Sequence, residues 1–327
     1  MNINTKEISL IIPSRDSKEN LFELLRSISS WEAVPNEIII VDSSEKKLEV
    51  PEDIKLFAEK FNIRLLVKIE KNLFPGHARN IGINNSSNSL LAFLDTSTHP
   101  NKNWLSSALN ILEIEKSNGV WGNTYYEADT YLAKIIRACT YGTKPIKTFP
   151  GSILKKNTFK KCGLFIESSR AGEDGDWMTR SSMHRIKISN PKEALSYDEI
   201  NDFTIKILLK KWFRNYSFSS RLPHRRLQKD IYFYFISFIT IIIAYNWNRV
   251  VASYQPDSIF FIPYVTRISF FLIVVSYAFF RGILMPVKKG IDFNFIFPLN
   301  FIVISFVSGL IDVTKALAFG YSRFVKK

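Results

Sequence analysis

"ISLIIPSRDSKENLFELLRSISSWEAVPNEIIIVD", residues 8–42, reads as strand, helix, strand. The apolar run at residues 8–13 and the run "EIIIVD" at 37–42 are short, rich in β-branched residues and bounded by turn formers, as buried strands are. Between them, Leu21, Leu24, Leu25 and Ile28 recur at helical spacing, which predicts a helix with one face packed on a sheet. Two further runs, "IRLLVKI" (63–69) and "LLAFLD" (90–95), continue the rhythm, with helix-compatible stretches between. Recurrent βαβ units predict an α/β fold with a mostly parallel, Rossmann-like sheet. Two of the runs end in an acid, Asp42 and Asp95. Ligands in open α/β sheets bind beyond the carboxyl ends of the strands, so both acids are expected at one crevice; an aspartate that only caps a turn would leave the same trace.

Two other stretches carry chemistry. In "FPGHARNIGINNS", residues 74–86, Gly76 and Gly82 permit close backbone approach, Arg79 offers a fork of donors suited to a diphosphate or carboxylate, and Asn80 can bond nearby backbone. "RAGEDGDW", residues 170–177, packs Glu173, Asp174 and Asp176 between two glycines and beside Trp177. Acids in a first helical turn favour the helix dipole and can mean nothing more. Alternatively they supply the carboxylate that takes a proton from a nucleophile, and burial beside Trp177 would raise its pKa. Successive helical residues point about 100° apart, so only one of Glu173 and Asp174 can face a substrate squarely.

Taken together, "LIIPSRDSKENLFELLRSI", "EIIIVDSS", "GHARNIGI", "LLAFLDTSTHPNKNWL", "PGSILKK" and "LFIESSRAGEDGDWMTRSSMHRIKI" resemble, in order and spacing, a family 2 inverting glycosyltransferase of the GT-A fold over residues 7–200. The resemblance implies a nucleotide-diphosphate sugar as donor. It puts Pro13, Arg15 and Asp42 near the base, Gly76, Arg79 and Asp95 toward the ribose and diphosphate, and Gly151, Ser152, Asp176 and Trp177 on the acceptor side. Asp174 would be the catalytic base, with Glu173 beside it. The sequence departs from the family pattern twice. Where the family carries Asp-x-Asp to hold a divalent cation, this chain reads Asp95-Thr96-Ser97, and a hydroxyl is a poorer ligand for a hard cation than a carboxylate. Where many relatives have a histidine, Tyr197 aligns. Mg²⁺ or Mn²⁺ held mainly by Asp95, with His99 or His184 as substitutes, and a metal-free site using Arg79 and other cations, both remain open.

The chain changes character beyond residue 204. Between Lys206 and Lys229 lie eight Lys or Arg residues and no acid, interleaved with Trp212, Phe213, Tyr216 and Phe218. Such a stretch could meet nucleic acid, but it directly precedes apolar sequence, which points instead to a membrane surface with anionic lipid; no nucleic-acid partner is expected. Three apolar segments follow, Ile231–Trp247, Ile259–Phe280 and Phe293–Leu310, each near the length of about 20 residues that spans a bilayer. The formal charge of the whole chain is +14. The basic residues at 281, 288 and 289 suit two spans with a re-entrant or interfacial third segment broken by Pro298 and Asn300; three spans is the alternative. The expected organisation is a catalytic domain (1–204), a basic juxtamembrane segment (205–230) and a membrane region (231–327). Cys139 and Cys162 form no framework, and the apolar run near the start is too short for a signal peptide's core, so the catalytic domain is expected in the cytoplasm of an integral membrane protein. These readings converge on transfer of a sugar to a lipid-linked acceptor. A non-catalytic membrane protein that keeps the nucleotide-sugar fold for binding is the rival.

Overall fold

A computed structural model describes residues 4–223, 229–253 and 255–324, with the side chains of 4–6 and 229–235 excepted. The strands are β1 (Asn4–Ser14), β2 (Ala33–Asp42), β3 (Arg64–Ile69), β4 (Leu90–Phe93), β5 (Thr98–His99), β6 (Gly119–Tyr126), β7 (Ile146–Lys155) and β8 (Leu195–Tyr197). Among the described residues they form one sheet in the order β3-β2-β1-β4-β7-β6-β8-β5. Parallel pairing joins β1 to β2 and β4, and β2 to β3, whereas β7 runs antiparallel to both β4 and β6. The helices are α1 (Lys18–Ser27), α2 (Glu52–Lys60), α3 (Pro75–Asn85), α4 (Trp104–Ile114), α5 (Tyr131–Cys139), α6 (Asn157–Cys162), α7 (Glu173–Met183), α8 (Ile205–Ser219), α9 (Lys229–Val250), α10 (Val265–Phe279), α11 (Met285–Lys288), α12 (Phe293–Ile296) and α13 (Asn300–Phe324).

The continuous apolar runs are explained by cover on both faces of the sheet. Leu10, Ile12, Ile38 and Ile40 point into one core with Leu21, Leu24, Leu25 and Ile28 of the first helical stretch. Ile11, Ile39 and Val41 point into the other, with Ala78 and Ile83 of α3 and Trp177 of α7. Side chains alternate along a strand, so a run apolar at every position can bury all of them only between two layers. The predicted mostly parallel α/β sheet is thus the one observed. The fourth run is shorter than its sequence suggests: β4 ends at Phe93, and Asp95 sits just beyond it in the loop.

Gly82 fixes how closely α3 lies on the sheet. A Cβ there would come within 2.4 Å of Ile11 Cγ2. Two residues earlier, Asn80 donates to the Phe165 carbonyl and accepts from the Phe165 amide, both at 2.9 Å, tying the helix to the loop that leads into α7.

The C-terminal helices join this domain through a third core. Ile135, Ile136 and Cys139 of α5 and Leu208 of α8 pack with Ile304, Val307 and Ile311 of α13. Among the described residues, two helical stretches, Val265–Lys288 and Asn300–Phe324, are long and apolar enough to cross a membrane. No residue of α10 is buried, and Phe270, Phe271 and Leu272 are each more than half exposed. Between α10 and α13, Arg281 Nη2 donates to Asp312 Oδ1 at 3.0 Å and Tyr277 OH to Asp312 Oδ2 at 2.9 Å, with Lys315 Nζ 3.3 Å from Asp312 Oδ1. The third apolar segment differs from its expected bounds. Proline lacks an N–H and disfavours helix at the residue before it, so the break falls between α12 and α13. The helix then runs past Leu310 to Phe324, because Asp312 and Lys315 turn toward partners rather than ending it. Part of the first segment, residues 231–235, lies outside the described side chains.

Candidate active site

A cleft of about 740 Å³ opens at the carboxyl ends of β1 and β4, lined among others by Pro13, Arg15, Arg79, Asp95, Glu173 and Asp174. This volume lies in the range of small-molecule sites. The centre of the cleft is Arg79, on α3 and 3% exposed. Its Nη1 donates to Glu173 Oε1 and its Nη2 to Asp95 Oδ1, both at 2.8 Å. Its guanidinium also lies 5.7 Å from the ring centres of Phe149 and Phe165. Three segments distant in sequence, the N-terminal half of α3, the first turn of α7 and the loop after β4, therefore meet at one buried cation. A buried guanidinium requires such partners, since an unpaired charge out of water costs several kcal/mol.

The two adjacent acids of α7 divide as helical geometry demands. Glu173 is buried and bound to Arg79; Asp174 is half-buried and lines the cleft, its Oδ1 accepting from the Gly175 amide at 2.7 Å. Burial, and next the nearby Asp174 charge, push the Glu173 carboxyl up to about 7 in spite of Arg79. Gly172, at φ +85°, turns the chain into α7 in a left-handed conformation that favours glycine. Gly76 admits α7 against α3: a Cβ there would meet the Ile166 carbonyl oxygen at 2.7 Å and Glu173 Cγ at 3.0 Å.

Asp95 is held on both sides. Its Oδ1 accepts from Arg79, and its Oδ2 accepts from Tyr197 OH at 3.0 Å. Burial and then the Asp95 charge raise the Tyr197 phenol well above its ordinary value, so it stays protonated and donates. Tyr126 lies 5.5 Å from Tyr197, ring centre to ring centre, and stacks on Tyr141 at 3.6 Å, which gives this end of the cleft an aromatic wall. The opposing wall comes from α8: Lys211, Trp212, Arg214 and Tyr216 all face the cleft, and Lys211 bonds Glu199.

Several expected residues lie elsewhere. Asp42 is fully buried and absent from the lining; its Oδ1 accepts from Ser44 Oγ at 2.8 Å, and Ser43 takes its place at the surface of the cleft. Gly76 is a packing position beneath the cleft. Gly151 and Ser152 lie within β7, the Gly151 carbonyl accepting from Trp104 Nε1 at 3.2 Å and Ser152 wholly buried. Asp176 pairs with Arg180 at 2.8 Å on the buried face of α7. Trp177 is fully buried among Phe149, Phe159 and Phe165, its Nε1 donating to the Gly163 carbonyl at 2.9 Å. These four are therefore part of the scaffold rather than of an acceptor surface. The substitutes considered for a metal also fall outside: His99 lies 3.3 Å from Asp198, and His184 ends α7. Conversely Tyr126, Tyr141, Arg170 and the α8 wall line the cleft without a local signal that would have placed them there.

The residues do not fit a divalent cation. Among those described, no three His, Cys, Asp or Glu side chains are grouped to hold one. Both oxygens of Asp95 are engaged, Ser97 offers a neutral hydroxyl, and Tyr197 faces Asp95 as a protonated donor.

Residues 9–164, just under half of the chain, match the sequence model of Glycosyl transferase family 2. Over 222 residues the chain is 28% identical to glycosyltransferase AglE of Haloferax volcanii, covering 63% of this chain and 71% of that protein. It is 21% identical over 199 residues to the poly(ribitol-phosphate) beta-N-acetylglucosaminyltransferase TarS of Staphylococcus aureus, covering 56% of this chain and spanning 34% of the relative. Among solved structures, the mannosyltransferase PcManGT of Pyrobaculum calidifontis, in complex with GDP-Man and Mn²⁺, superposes with a TM-score of 0.55 at 12% identity, over 95% of this chain and 86% of that one. The fold is thus the GT-A, Rossmann-like α/β arrangement, followed by two apolar helices.

Proposed function

We propose that this chain is a membrane-anchored family 2 glycosyltransferase, which moves a sugar with inversion from a nucleoside-diphosphate donor to a lipid-linked acceptor at the cytoplasmic membrane face. The observation that carries this reading is the junction of Arg79 with Asp95 and Glu173, beside the cleft-facing Asp174. In the reaction, the acceptor hydroxyl attacks the anomeric carbon from the face opposite the leaving group. The bond from that carbon to the diphosphate oxygen breaks, its electron pair leaves with the nucleoside diphosphate, and the hydroxyl proton passes to the Asp174 carboxylate. Asp174 suits this role because it faces the cleft, while Glu173 is committed to Arg79. Pro13 and Arg15 flank the donor side.

The walling of the cleft supports a lipid-linked acceptor. Trp212 and Tyr216 of α8 line it, and Lys315 of α13 lies 4.9 Å and 5.5 Å from their ring centres. The cleft therefore lies one packing layer from α13, a helix apolar enough to cross a bilayer, which favours an acceptor presented at a lipid surface. Ser97 in place of a second acid favours the rival reading, a binding module without turnover. Full-length protein in detergent, supplied with labelled uridine- and guanosine-diphosphate sugars and a polyprenyl phosphate or lipid-linked sugar, separates the two. Transfer or hydrolysis by the wild type and its loss in Asp174→Asn is the expected result. Binding without turnover in the wild type, or turnover unchanged in the variant, would defeat the catalytic assignment.

A further inference from the structure

Resting on the nucleotide-sugar reading above, we propose that Arg170 and Arg214 bind the donor's diphosphate in place of a divalent ion. Catalysis at an anomeric carbon requires that the charge growing on the departing diphosphate be neutralised as the bond breaks. The groups that would hold a metal for this purpose are otherwise engaged: Asp95 by Arg79 and Tyr197, with Ser97 uncharged two residues on. The cleft's own charge makes the need acute, because Asp95, Glu173 and Asp174 line it around one interior cation, Arg79.

Of the other cations in the lining, Lys211 is bonded to Glu199, and Arg15 lies 3.6 Å from Asp16. Arg170 and Arg214 have no carboxylate at ion-pair distance among the described residues. They arrive from separate parts of the fold, Arg170 from the turn before α7 and Arg214 from α8, and both line the cleft. Both line one cleft, and the Arg214 guanidinium is held below its ordinary pKa by burial and then by the positive charge of Arg170. Glu199 also lines the cleft and attracts Arg214, but it is bonded to Lys211; two guanidiniums facing one cleft are relieved by an anion between them, and each planar fork can take two phosphate oxygens. Their joint charge equals that of the divalent ion they replace.

A phosphate on a lipid acceptor has the same chemistry as the donor's diphosphate, so the experiment includes both. UDP and GDP are titrated by calorimetry into the full chain in detergent, with EDTA and separately with Mn²⁺, against uridine and guanosine as phosphate-free probes and detergent-solubilised polyprenyl phosphate as the acceptor probe. The expected result is that one nucleoside diphosphate binds in EDTA, with affinity changed by less than about threefold on adding Mn²⁺. Arg170→Gln and Arg214→Gln should each weaken it about tenfold or more, a loss of about 1.4 kcal/mol or greater, and leave nucleoside binding and the ligand-free melting temperature unchanged. Arg214→Lys should restore part of the loss.

Nucleotide binding that appears only with Mn²⁺ overturns the proposal. So does undiminished diphosphate binding in both Gln variants, including the case in which they lose only polyprenyl phosphate. If neither UDP nor GDP binds under either condition, the nucleotide-sugar reading itself fails.

Discussion

Glu173→Gln removes the one charge that the interior of the site tolerates poorly, and its effect should depend on pH. The carboxyl is raised from 4.5 to about 7 by burial and by the neighbouring Asp174 charge. The folded protein therefore holds a proton that the unfolded chain releases near its ordinary value. Between those two values the native state binds more protons, so stability falls as pH rises through the window and levels off above about 7. At about 1.36 kcal/mol per pH unit, ionising Glu173 in the folded state costs about 3 kcal/mol by the upper end of the window. Glutamine keeps a carbonyl oxygen for the Arg79 Nη1 bond but cannot ionise. Relative to wild type, Glu173→Gln should thus be least favourable near pH 5 and gain about 2–3 kcal/mol by pH 8. Urea unfolding of both proteins in detergent across this range measures the difference. A gap that stays constant with pH, or that moves the other way, would refute the argument that burial and Asp174 outweigh Arg79 at this carboxyl.

Other substitutions test separate parts of the framework. Gly82→Ala would ordinarily favour a helix by about 1 kcal/mol, but the added Cβ meets Ile11 Cγ2 at 2.4 Å, so a net loss of about 1–3 kcal/mol is expected in thermal melts. Asp312→Ala withdraws the carboxylate shared by Arg281, Tyr277 and Lys315 and should cost about 3–5 kcal/mol, seen as a lower melting temperature; the double variant with Arg281→Met should recover much of it. Tyr197→Phe removes the donor to Asp95 Oδ2, which is partly solvated, so stability should fall by only about 1 kcal/mol on urea unfolding.

What the sequence made legible was whatever local periodicity or residue chemistry determines. The βαβ rhythm was readable because burial on both faces requires apolar residues at every strand position. Arg79, Asp95, Glu173 and Asp174 could be singled out by type, and they do meet. Orientation was the harder matter. Asp176 and Trp177 stand three and four residues after Glu173 and so share its inward face, whereas Asp174 is rotated by about 100° into the cleft. Asp42, also an acid at a strand end, turns inward to Ser44. Nothing local distinguishes it from Asp95, because the difference lies in what the next loop offers. Tyr126 and Tyr141 were missed because only tertiary folding brings them to the lining, whereas Arg170 opens the very stretch that carries Glu173 and Asp174 and was passed over for its acids. The course of α13 past Leu310 was hidden for a similar reason: Asp312 and Lys315 look like the end of an apolar segment until Arg281 and the rings of α8 are seen opposite them.

The burial of Arg79 decides the division of labour between the two α7 acids. Asn80 fixes the helix beneath Arg79 by two bonds to Phe165, so the guanidinium has little freedom to seek other partners. Its donors are directed to Asp95 and Glu173, and a charge at 3% exposure cannot be left without them. Glu173 is therefore held in place by the fold, and a catalytic proton transfer through it would break the pairing that keeps Arg79 inside. Asp174 carries no such obligation: its Oδ1 accepts from the amide of the next residue, and the carboxylate stays at the cleft surface. The same logic applies at Asp95, whose two oxygens are engaged by Arg79 and Tyr197. One buried arginine thus commits two of the three acids to structure and leaves the third at the cleft surface, where the proposed function needs its base.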